Sequence, residues 1–392
     1  MKIGQFTDTF LPITDGVGRV VHAYALGLSN LSHEVTVVAP LYNTGQRGHF
    51  PFELVDYLSY PVPTAPQYKI GSPRFDKHYR KRIEMIPMDI MHTHGPFSAG
   101  REALRLAKNR KTVPLVASFH SKYYDDFYKA TKSASISKVI VKNLINFYEK
   151  CDDVWAVSTS TGEVLRQYGF KGHIRIMPNG VTLRTPKQDS FAQLEERLKI
   201  HDEPMLLFVG QINWKKNLLR ILEAAALLKS SGKDFRLCLV GQGPDEQEVQ
   251  QKILDLGIAD QTLMTGHIGD ADLLDALYQR ASLFVFPSLY DNAPMVLREA
   301  AVMGTPSVLI IGSDAAEVVE DGRNGLLCSD TSQDLSDTIS AALDDPQKIK
   351  ELGLAAQQSI PISWDSLMHD IVDAYEQVID RFQYKLKTKQ QK

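Results

Sequence analysis

The sequence is poor in cysteine, with three among 392 residues. Cys151, Cys238 and Cys328 are scattered and odd in number, so they indicate neither a disulfide framework nor a metal-ligand spacing. We expect buried, reduced thiols. The sequence also lacks any apolar run near the ~18–20 residues that span a bilayer. Its opening, MKIGQFTDTFLPI, lacks the hydrophobic region of a signal peptide, and the sequence therefore predicts a cytoplasmic protein.

Net charge is small, −3 at pH 7, but it is unevenly distributed. Residues 1–180 contain 23 Lys and Arg against 15 Asp and Glu, a balance of +8, which leaves −11 for residues 181–392. A basic half joined to an acidic half predicts that the two halves meet different partners. Basic residues concentrate in KIGSPRFDKHYRKR at 69–82 and in the last residues, 381–392.

A further basic stretch, residues 123–150, interleaves lysines with aromatic and aliphatic side chains. Such stretches can lie on an anionic membrane surface, so one interpretation is peripheral attachment to the inner face of the cell membrane. An ordinary basic surface around an acidic or polar acceptor is the other interpretation. No nucleic-acid partner is predicted, and the sequence leaves the oligomeric state open.

Apolar strands alternate with helical patterns along both halves of the chain, which predicts two doubly wound α/β units with parallel sheets. The predicted domains are residues 1–183 and 184–364. Residues 365–392 form a helix that crosses back to the first domain, followed by a basic tail. Ligands of such sheets bind outside the carboxyl ends of the strands, so the predicted site is a cleft between two facing units.

The stretch SLYDNAPMVLREA at 288–300 follows one of these strands and contains two acids, Asp291 and Glu299. A helix is predicted to begin near Pro294, which a first turn tolerates. The backbone amides of Met295 and Val296 would then form an anion site. By spacing alone, an N-cap acid and a solvated Glu explain the two carboxylates equally well.

Other polar residues also follow predicted strands. Lys215 and Lys216 lie in GQINWKKN before a helix, where a lysine suits a phosphate, although a solvated loop is the simpler reading. The loop TDGVG at 14–18 precedes a helix and brings backbone amides close to a phosphate or sugar. GQGP at 241–244 is a glycine turn that any doubly wound fold permits.

Three histidines, His92, His94 and His120, lie at or near the ends of predicted strands. Their spacing fits no zinc pattern and no cysteine lies nearby, so a metal site is the weaker reading. A histidine positioned against a substrate hydroxyl is the stronger one.

Together these segments resemble the retaining GT-B-fold glycosyltransferases of family 4, with a particular likeness to bacterial diacylglycerol glucosyltransferases. The resemblance covers nearly the whole chain and is carried in order by FTDTFLPITDGVGR, HTHGPFSAG, PLVASFHS, VWAVSTSTGEVL, IMPNGV, FVGQINWKKN, LVGQGP, TGHIGDADLLDALYQRASLFVFPSLYDNAPMVLREAAVMGTPSVL and DGRNGLL. It implies an α/β GT-B fold of two Rossmann-like domains, with the acceptor in the first and a nucleotide sugar in the second.

The resemblance also implies roles for individual residues. Asp291 and Glu299 fall on the family's Glu-x7-Glu motif, where Glu299 would hold the donor ribose and Asp291 the donor sugar. His120 falls on the active-site histidine beside the transferred sugar, which makes His120 and Asp291 the predicted catalytic residues. The rest of the predicted donor site is Gly16, Gln211, Lys215, Lys216, His267, Ile268, Met295 and Val296, and the predicted acceptor side is His94 and Tyr123.

The chain departs from the family pattern at three points. Asp replaces Glu at 291, Gln211 replaces an arginine of the phosphate clamp, and Pro294 in the loop NAP has no amide to donate. These changes leave open the alternative that the chain is a non-catalytic partner subunit of a glycosyltransferase complex. A sugar-nucleotide epimerase is a rival that would form no glycoside.

The resemblance implies retention of configuration without a metal ion or other cofactor, with Lys216 and helix amides neutralising the leaving diphosphate. UDP-glucose and a membrane glycolipid acceptor such as diacylglycerol are the expected substrates. A soluble or cell-wall or polysaccharide precursor is the alternative acceptor.

Overall fold

We describe the protein from a computed structural model, in residues 1–11, 15–40, 49–62, 65–200 and 202–390. The chain forms two compact units. Unit 1 comprises residues 1–179 and 364–392, and unit 2 comprises residues 180–363. The sequence placed the corresponding boundaries after residues 183 and 364. In the described part of the chain, no helix is both long and apolar enough to cross a membrane.

Unit 1 is built on a seven-stranded parallel sheet with the order β3-β2-β1-β6-β7-β8-β9. Its central strands are buried along almost their whole length, as expected for a parallel sheet covered on both faces. The strands of unit 1, within this sheet and outside it, are β1 (Lys2–Phe6), β2 (Glu34–Ala39), β3 (Glu53–Asp56), β4 (Ser59–Val62), β5 (Ala65–Gly71), β6 (Ile90–Thr93), β7 (Leu115–Phe119), β8 (Asp153–Ala156) and β9 (Arg175–Ile176). Strands β4 and β5 form a separate antiparallel hairpin.

The first helices of the chain belong to this unit: α1 (Gly16–Asn30), α2 (Lys77–Met85), α3 (Ser98–Arg110), α4 (Tyr123–Thr131), α5 (Ala134–Tyr148) and α6 (Thr159–Gln167). A 27-residue helix at the end of the chain, residues Trp364–Gln390, packs against α1. Gly27 of α1 makes this contact possible, because a Cβ there would lie 2.5 Å from Cγ of Met368. The closing helix therefore belongs to the fold of unit 1.

Unit 2 repeats the design with a six-stranded parallel sheet of order β12-β11-β10-β13-β14-β15. Its elements are α7 (Gln188–Leu198), β10 (Met205–Val209), α8 (Leu218–Ser230), β11 (Arg236–Val240), α9 (Glu246–Asp255), β12 (Thr262–Gly266), α10 (Ala271–Arg280), β13 (Leu283–Val285), α11 (Met295–Val302), β14 (Ser307–Ile310), β15 (Leu326–Cys328), α12 (Ser332–Leu343) and α13 (Pro346–Ser359), and the closing helix of unit 1 is α14. Strand–helix alternation in both units confirms the predicted α/β fold class of two Rossmann-like domains.

The start of α1 differs from the prediction made from the sequence. Gly16 is not in a loop but is the first residue of α1, which begins inside the stretch 14–18 that the sequence predicted as a loop. The cause is Asp15, whose carboxylate accepts a hydrogen bond of 2.7 Å from the backbone N–H of Gly18 and so caps the helix. Thr14 lies outside the described residues.

Candidate functional site

The loop between β13 and α11 holds Asp291 in a network of polar contacts. Lys216 donates from Nζ to Asp291 Oδ1 at 2.5 Å, and Ser288 donates from Oγ to Oδ2 at 2.6 Å. Lys216 ends a short 3₁₀ helix, Trp214–Lys216, that follows β10. Strands β10 and β13 are neighbours in the sheet, so their carboxyl ends bring this lysine and this acid together. Both side chains are partly buried. The contact joins the lysine predicted at the diphosphate to the acid predicted at the donor sugar.

Glu299 lies on α11 and is only 4% exposed, so it is not the solvated side chain that spacing alone allowed. Tyr278 of α10 donates a hydrogen bond from its hydroxyl to Oε2 of Glu299 at 3.2 Å. The helix begins as predicted, with Pro294 as its N-cap residue and no side-chain hydrogen bond to the cap. Asp291 is therefore not the N-cap acid, and the backbone of Met295 and Val296 forms the first turn of the helix.

Gln211, Lys215, His267 and Ile268, which were also predicted at the donor site, follow strands at the same edge of the unit 2 sheet. Lys215 stacks its ammonium 4.7 Å from the ring centroid of Tyr290. Gln211 is exposed after β10, and His267 is exposed after β12 with Ile268 half-buried beside it. The parallel order of β12, β11, β10 and β13 accounts for this grouping, because their carboxyl ends all lie on one edge.

The GQGP turn has a packing role that its sequence did not show. A Cβ on Gly241 would lie 1.8 Å from the carbonyl oxygen of Gly210, and one on Gly243 would lie 2.0 Å from that of Ile212. Gly241 also has a φ of +140°, which side-chain-bearing residues rarely adopt. Both glycines therefore let this turn pack directly against the backbone of the loop that leads to Lys215 and Lys216.

In unit 1 the structure brings two of the strand-end histidines, His94 and His120, together. Nδ1 of His94 and Nε2 of His120 are 3.2 Å apart, and Nε2 of His94 is 2.7 Å from Oε1 of Gln5. An amide oxygen only accepts, so His94 carries its proton on Nε2. Burial lowers the pKa of His94 far below its ordinary value, and it lowers the pKa of His120 to about 4. Both rings are neutral near pH 7, and His120 donates from Nε2 to His94.

The contacts continue from Gln5 to the closing helix. Gln5 donates from Nε2 to the hydroxyl of Tyr375 at 3.0 Å, and that hydroxyl lies 2.6 Å from Nδ1 of His92. His92 in turn lies 2.8 Å from Oγ of Ser118. A continuous hydrogen-bonded chain thus joins His120, at the end of β7, to Tyr375 on α14.

A cavity of about 1020 Å³ lies beside these histidines and is contained in unit 1. His94 and Tyr123, the residues predicted on the acceptor side, both line it. Its apolar wall is formed by Val17, Val62, Ile70, Phe75 and Phe97, and cationic side chains on its lining are Lys69, Arg74, Arg101 and Arg105. Asp8, in the loop that follows β1, also lines the cavity. This space is large enough for a drug-sized ligand.

Gly16 has open space where a side chain would stand, since no atom lies within 4 Å of a Cβ built on it. Packing therefore does not require a glycine at this position. Among the described residues, no three His, Cys, Asp or Glu side chains are grouped as metal ligands. His94 and His120 instead hydrogen-bond to each other, and His92 hydrogen-bonds to Tyr375 and Ser118.

Sequence reasoning missed four residues that position these groups: Ser288, Tyr278, Gln5 and Tyr375. Ser288 had a local signal, because it precedes Asp291 by three residues in the same loop. Tyr278 and Tyr375 had none, because their partners Glu299 and His92 lie on other elements of the fold.

Two family models match the chain almost end to end. Residues 14–185 match "Glycosyltransferase Family 4" and residues 189–359 match "Glycosyl transferases group 1". The chain belongs to the GT-B glycosyltransferases of family 4. Its catalytic class is therefore glycosyl transfer.

Curated relatives of this glycosyltransferase include two enzymes named alpha-monoglucosyldiacylglycerol synthase. The Streptococcus pneumoniae enzyme is 27% identical over 79% of this chain and 70% of its own. The Acholeplasma laidlawii enzyme is 25% identical over 83% of this chain and 84% of its own. A GDP-mannose-dependent alpha-mannosyltransferase of Corynebacterium glutamicum is 25% identical over 97% and 89%.

Solved structures share the fold. Sucrose-phosphate synthase from Thermosynechococcus elongatus aligns with a TM-score of 0.80 and 19% identity, over 97% of this chain and 99% of its own. Anabaena HepE, solved in complex with UDP-glucose, aligns with a TM-score of 0.75 and 18% identity, over 96% and 100%.

Proposed function

We propose that this glycosyltransferase moves glucose from UDP-glucose to diacylglycerol, with retention of configuration and without a metal ion. The observation that carries the proposal is the cavity of unit 1, whose apolar wall and cationic lining suit an amphiphilic acceptor. The two relatives named for monoglucosyldiacylglycerol synthesis support the same acceptor and the transfer of glucose in an alpha linkage.

The donor half of the proposal assigns the polar residues of unit 2. Glu299, buried on α11, accepts hydrogen bonds from the ribose, and Asp291 accepts them from the sugar. Lys216 contacts the diphosphate while keeping its contact with Asp291, because an ammonium has three donors. The HepE structure with UDP-glucose supports a uridine nucleotide, since that protein shares the fold.

Charge on the leaving diphosphate is neutralised by Lys216 and by the first-turn amides of α11. This assignment needs no metal ion. The contact between Lys216 and Asp291 supports this assignment, because it places the lysine ammonium 2.5 Å from the carboxylate that would contact the sugar. Gln211, exposed where the family has an arginine, adds no charge, so Lys215 supplies the second cation.

The acceptor half of the proposal includes contact with an anionic membrane surface. Phe75 is 77% exposed and Ile70 is 52% exposed, and both line the cavity. Arg74, Lys77 and Lys81 are exposed in the same stretch. An apolar and cationic rim at a cavity mouth favours lipid headgroups at the surface and an apolar acceptor inside.

Part of the basic stretch that ends at residue 150 does not contribute to this membrane-facing surface. Leu144 and Ile145 of α5 are buried in the core of unit 1, so they cannot contact a membrane as their sequence position suggested. The exposed face of α5 instead carries Lys138 and Lys142, with Val139 60% exposed between them.

The proposal is tested by incubating the full-length protein with UDP-glucose and dioleoylglycerol in mixed micelles with an anionic phospholipid. We expect glucosyldiacylglycerol with an α-anomeric signal in the NMR spectrum, formed at the same rate in excess EDTA. GDP-mannose serves as the competing donor. A β-anomer would refute retention, abolition by EDTA with rescue by magnesium would refute metal independence, and turnover only with GDP-mannose would refute the donor. Donor binding without transfer to any lipid would favour the soluble acceptor or the non-catalytic subunit.

A further inference from the structure

We propose that Asp8 binds a hydroxyl group of the acceptor inside the cavity of unit 1, through its carboxylate oxygen Oδ2. The inference rests on the proposed function only in taking a hydroxyl-bearing lipid as the ligand. It assigns the recognition of that hydroxyl to a residue in the loop that follows β1.

Asp8 has one oxygen whose contacts the fold explains. Oδ1 accepts a hydrogen bond of 2.5 Å from Oγ of Ser98 and one of 2.9 Å from the backbone N–H of Ala99. Both donors belong to the first turn of α3, so Oδ1 satisfies a helix N-terminus. The hydroxyl of Ser98 also accepts from the backbone N–H of Gly71 at 3.3 Å, which ties the end of the hairpin to the same point.

The other oxygen has no such explanation. Oδ2 is shielded from solvent and has no hydrogen-bond partner among the described residues. Buried carboxylate oxygens are rarely left unpaired, because the cost of desolvation is then uncompensated. No described cation forms an ion pair with Asp8, although the positive charge of Arg101 lowers the pKa of its carboxyl. The arrangement suits a ligand that supplies the missing donor.

The surroundings of Oδ2 indicate which donor fits. A Cβ on Gly95 would lie 3.6 Å from Oδ2, and Gly95 and Asp8 both line the cavity. Phe97 and Val17 line the same space, so a strongly hydrated cation would lose its water shell without replacement. A neutral hydroxyl on an apolar body loses little water and gains a charge-assisted hydrogen bond. A glyceride with one free hydroxyl has this composition.

Burial raises the pKa of Asp8 above its ordinary value, and its bonds from Ser98 and Ala99 partly oppose this. Oδ1 is occupied by two donors, so a proton taken up at low pH would reside on Oδ2. As pH falls, Oδ2 therefore becomes protonated and can no longer accept a hydrogen bond from the acceptor hydroxyl. The helix cap formed by Oδ1 persists.

The test measures binding of 1,2-dioctanoylglycerol to the full-length protein by calorimetry, with its 3-O-methyl ether as the matched ligand that lacks the hydroxyl. Asp8→Asn keeps an oxygen for Ser98 and Ala99 and replaces Oδ2 by an amide donor. Ser98→Ala is the control that weakens the helix cap and leaves Oδ2 in place. Melting temperatures of both variants report whether the fold is intact.

We expect wild-type protein to bind the alcohol at least tenfold more tightly than the ether, and Asp8→Asn to remove that preference. Ser98→Ala should keep it, even if its melting temperature falls. No binding of the alcohol by wild type, an unchanged preference in Asp8→Asn, or equal loss in Ser98→Ala would each overturn the inference. UDP-glucose binding is measured separately, so a failed donor assignment is distinguishable from a failed acceptor assignment.

Discussion

Replacing Glu299 by Ala is the sharpest test of the donor site. Glu299 is 4% exposed, and its carboxylate accepts a hydrogen bond of 3.2 Å from the hydroxyl of Tyr278. If the remaining lone pairs accept from the ribose hydroxyls, the substitution removes hydrogen bonds to a charged group. Such bonds contribute about 1.5–3 kcal/mol. The dissociation constant of UDP-glucose should therefore rise by at least tenfold, since 1.4 kcal/mol corresponds to a factor of ten.

The same substitution has a structural cost that must be separated from the loss of binding. It removes an acceptor from the buried hydroxyl of Tyr278, which costs about 1–3 kcal/mol of stability when no other group replaces it. Tyr278→Phe is the matched control, because it breaks the same hydrogen bond and keeps the carboxylate. Glu299→Gln keeps one acceptor oxygen and removes the charge, so its donor affinity should fall between those of wild type and Glu299→Ala.

Calorimetric titration with UDP-glucose, well below the melting temperature of each protein, gives the four dissociation constants of wild type and the three variants. The expected order of affinity is wild type, Tyr278→Phe, Glu299→Gln and Glu299→Ala. If Glu299→Ala binds the donor as tightly as wild type, the carboxylate does not contact the ribose. If Tyr278→Phe loses as much affinity as Glu299→Ala, the effect reflects the packing of α10 on α11 instead.

Three further outcomes are expected. Replacing Lys138 and Lys142 together by Glu should reduce sedimentation with anionic vesicles at low salt, at about 1 kcal/mol for each charge removed, and leave donor affinity unchanged; equal sedimentation would contradict membrane contact through α5. Tyr375→Phe should lower turnover without changing donor affinity, because it removes the hydroxyl that accepts from Gln5, and Gln5 in turn contacts His94 beside His120; unchanged turnover at every pH would contradict that link. The pKa of His120 is lowered from 6.5 to about 4, so its neutral form is favoured in the folded state, and its contribution to stability is present above pH 6.5 and lost as pH falls towards 4. His120→Gln should therefore flatten the fall in the free energy of unfolding over that window, measured by urea denaturation, and equal slopes would refute the assignment.

Local sequence signals predicted the elements that carry the donor site. The apolar run before SLYDNAP, the proline at 294 and the helix-forming residues after it all depend on neighbours in sequence. These signals gave the start of α11 and the position of Glu299 on it, as the structure confirms. The same kind of signal was present for α1, where Asp15 stands three residues before Gly18, but the two glycines that follow it masked the helix start.

Contacts between elements were beyond that reasoning. Lys216 and Asp291 are 75 residues apart and meet because β10 lies beside β13, and the sequence did not give the order of strands in the sheet. The hairpin of β4 and β5 was also missed. Pro61 and Pro66 interrupt its strand pattern, and proline within a short run argues against a strand.

The closing helix illustrates why the distant contacts matter for chemistry. Tyr375 lies 283 residues from His92 and 370 from Gln5, yet its hydroxyl contacts both inside unit 1. Gln5 and His92 are fully buried, so without Tyr375 each would lose a partner where water does not replace it. Because Gln5 also fixes the proton of His94 on Nε2, and His94 accepts from His120, the hydroxyl on α14 helps to set which nitrogen of His120 carries its proton. A helix that packing alone would explain as a cover for α1 thus also orients the histidine predicted beside the transferred sugar.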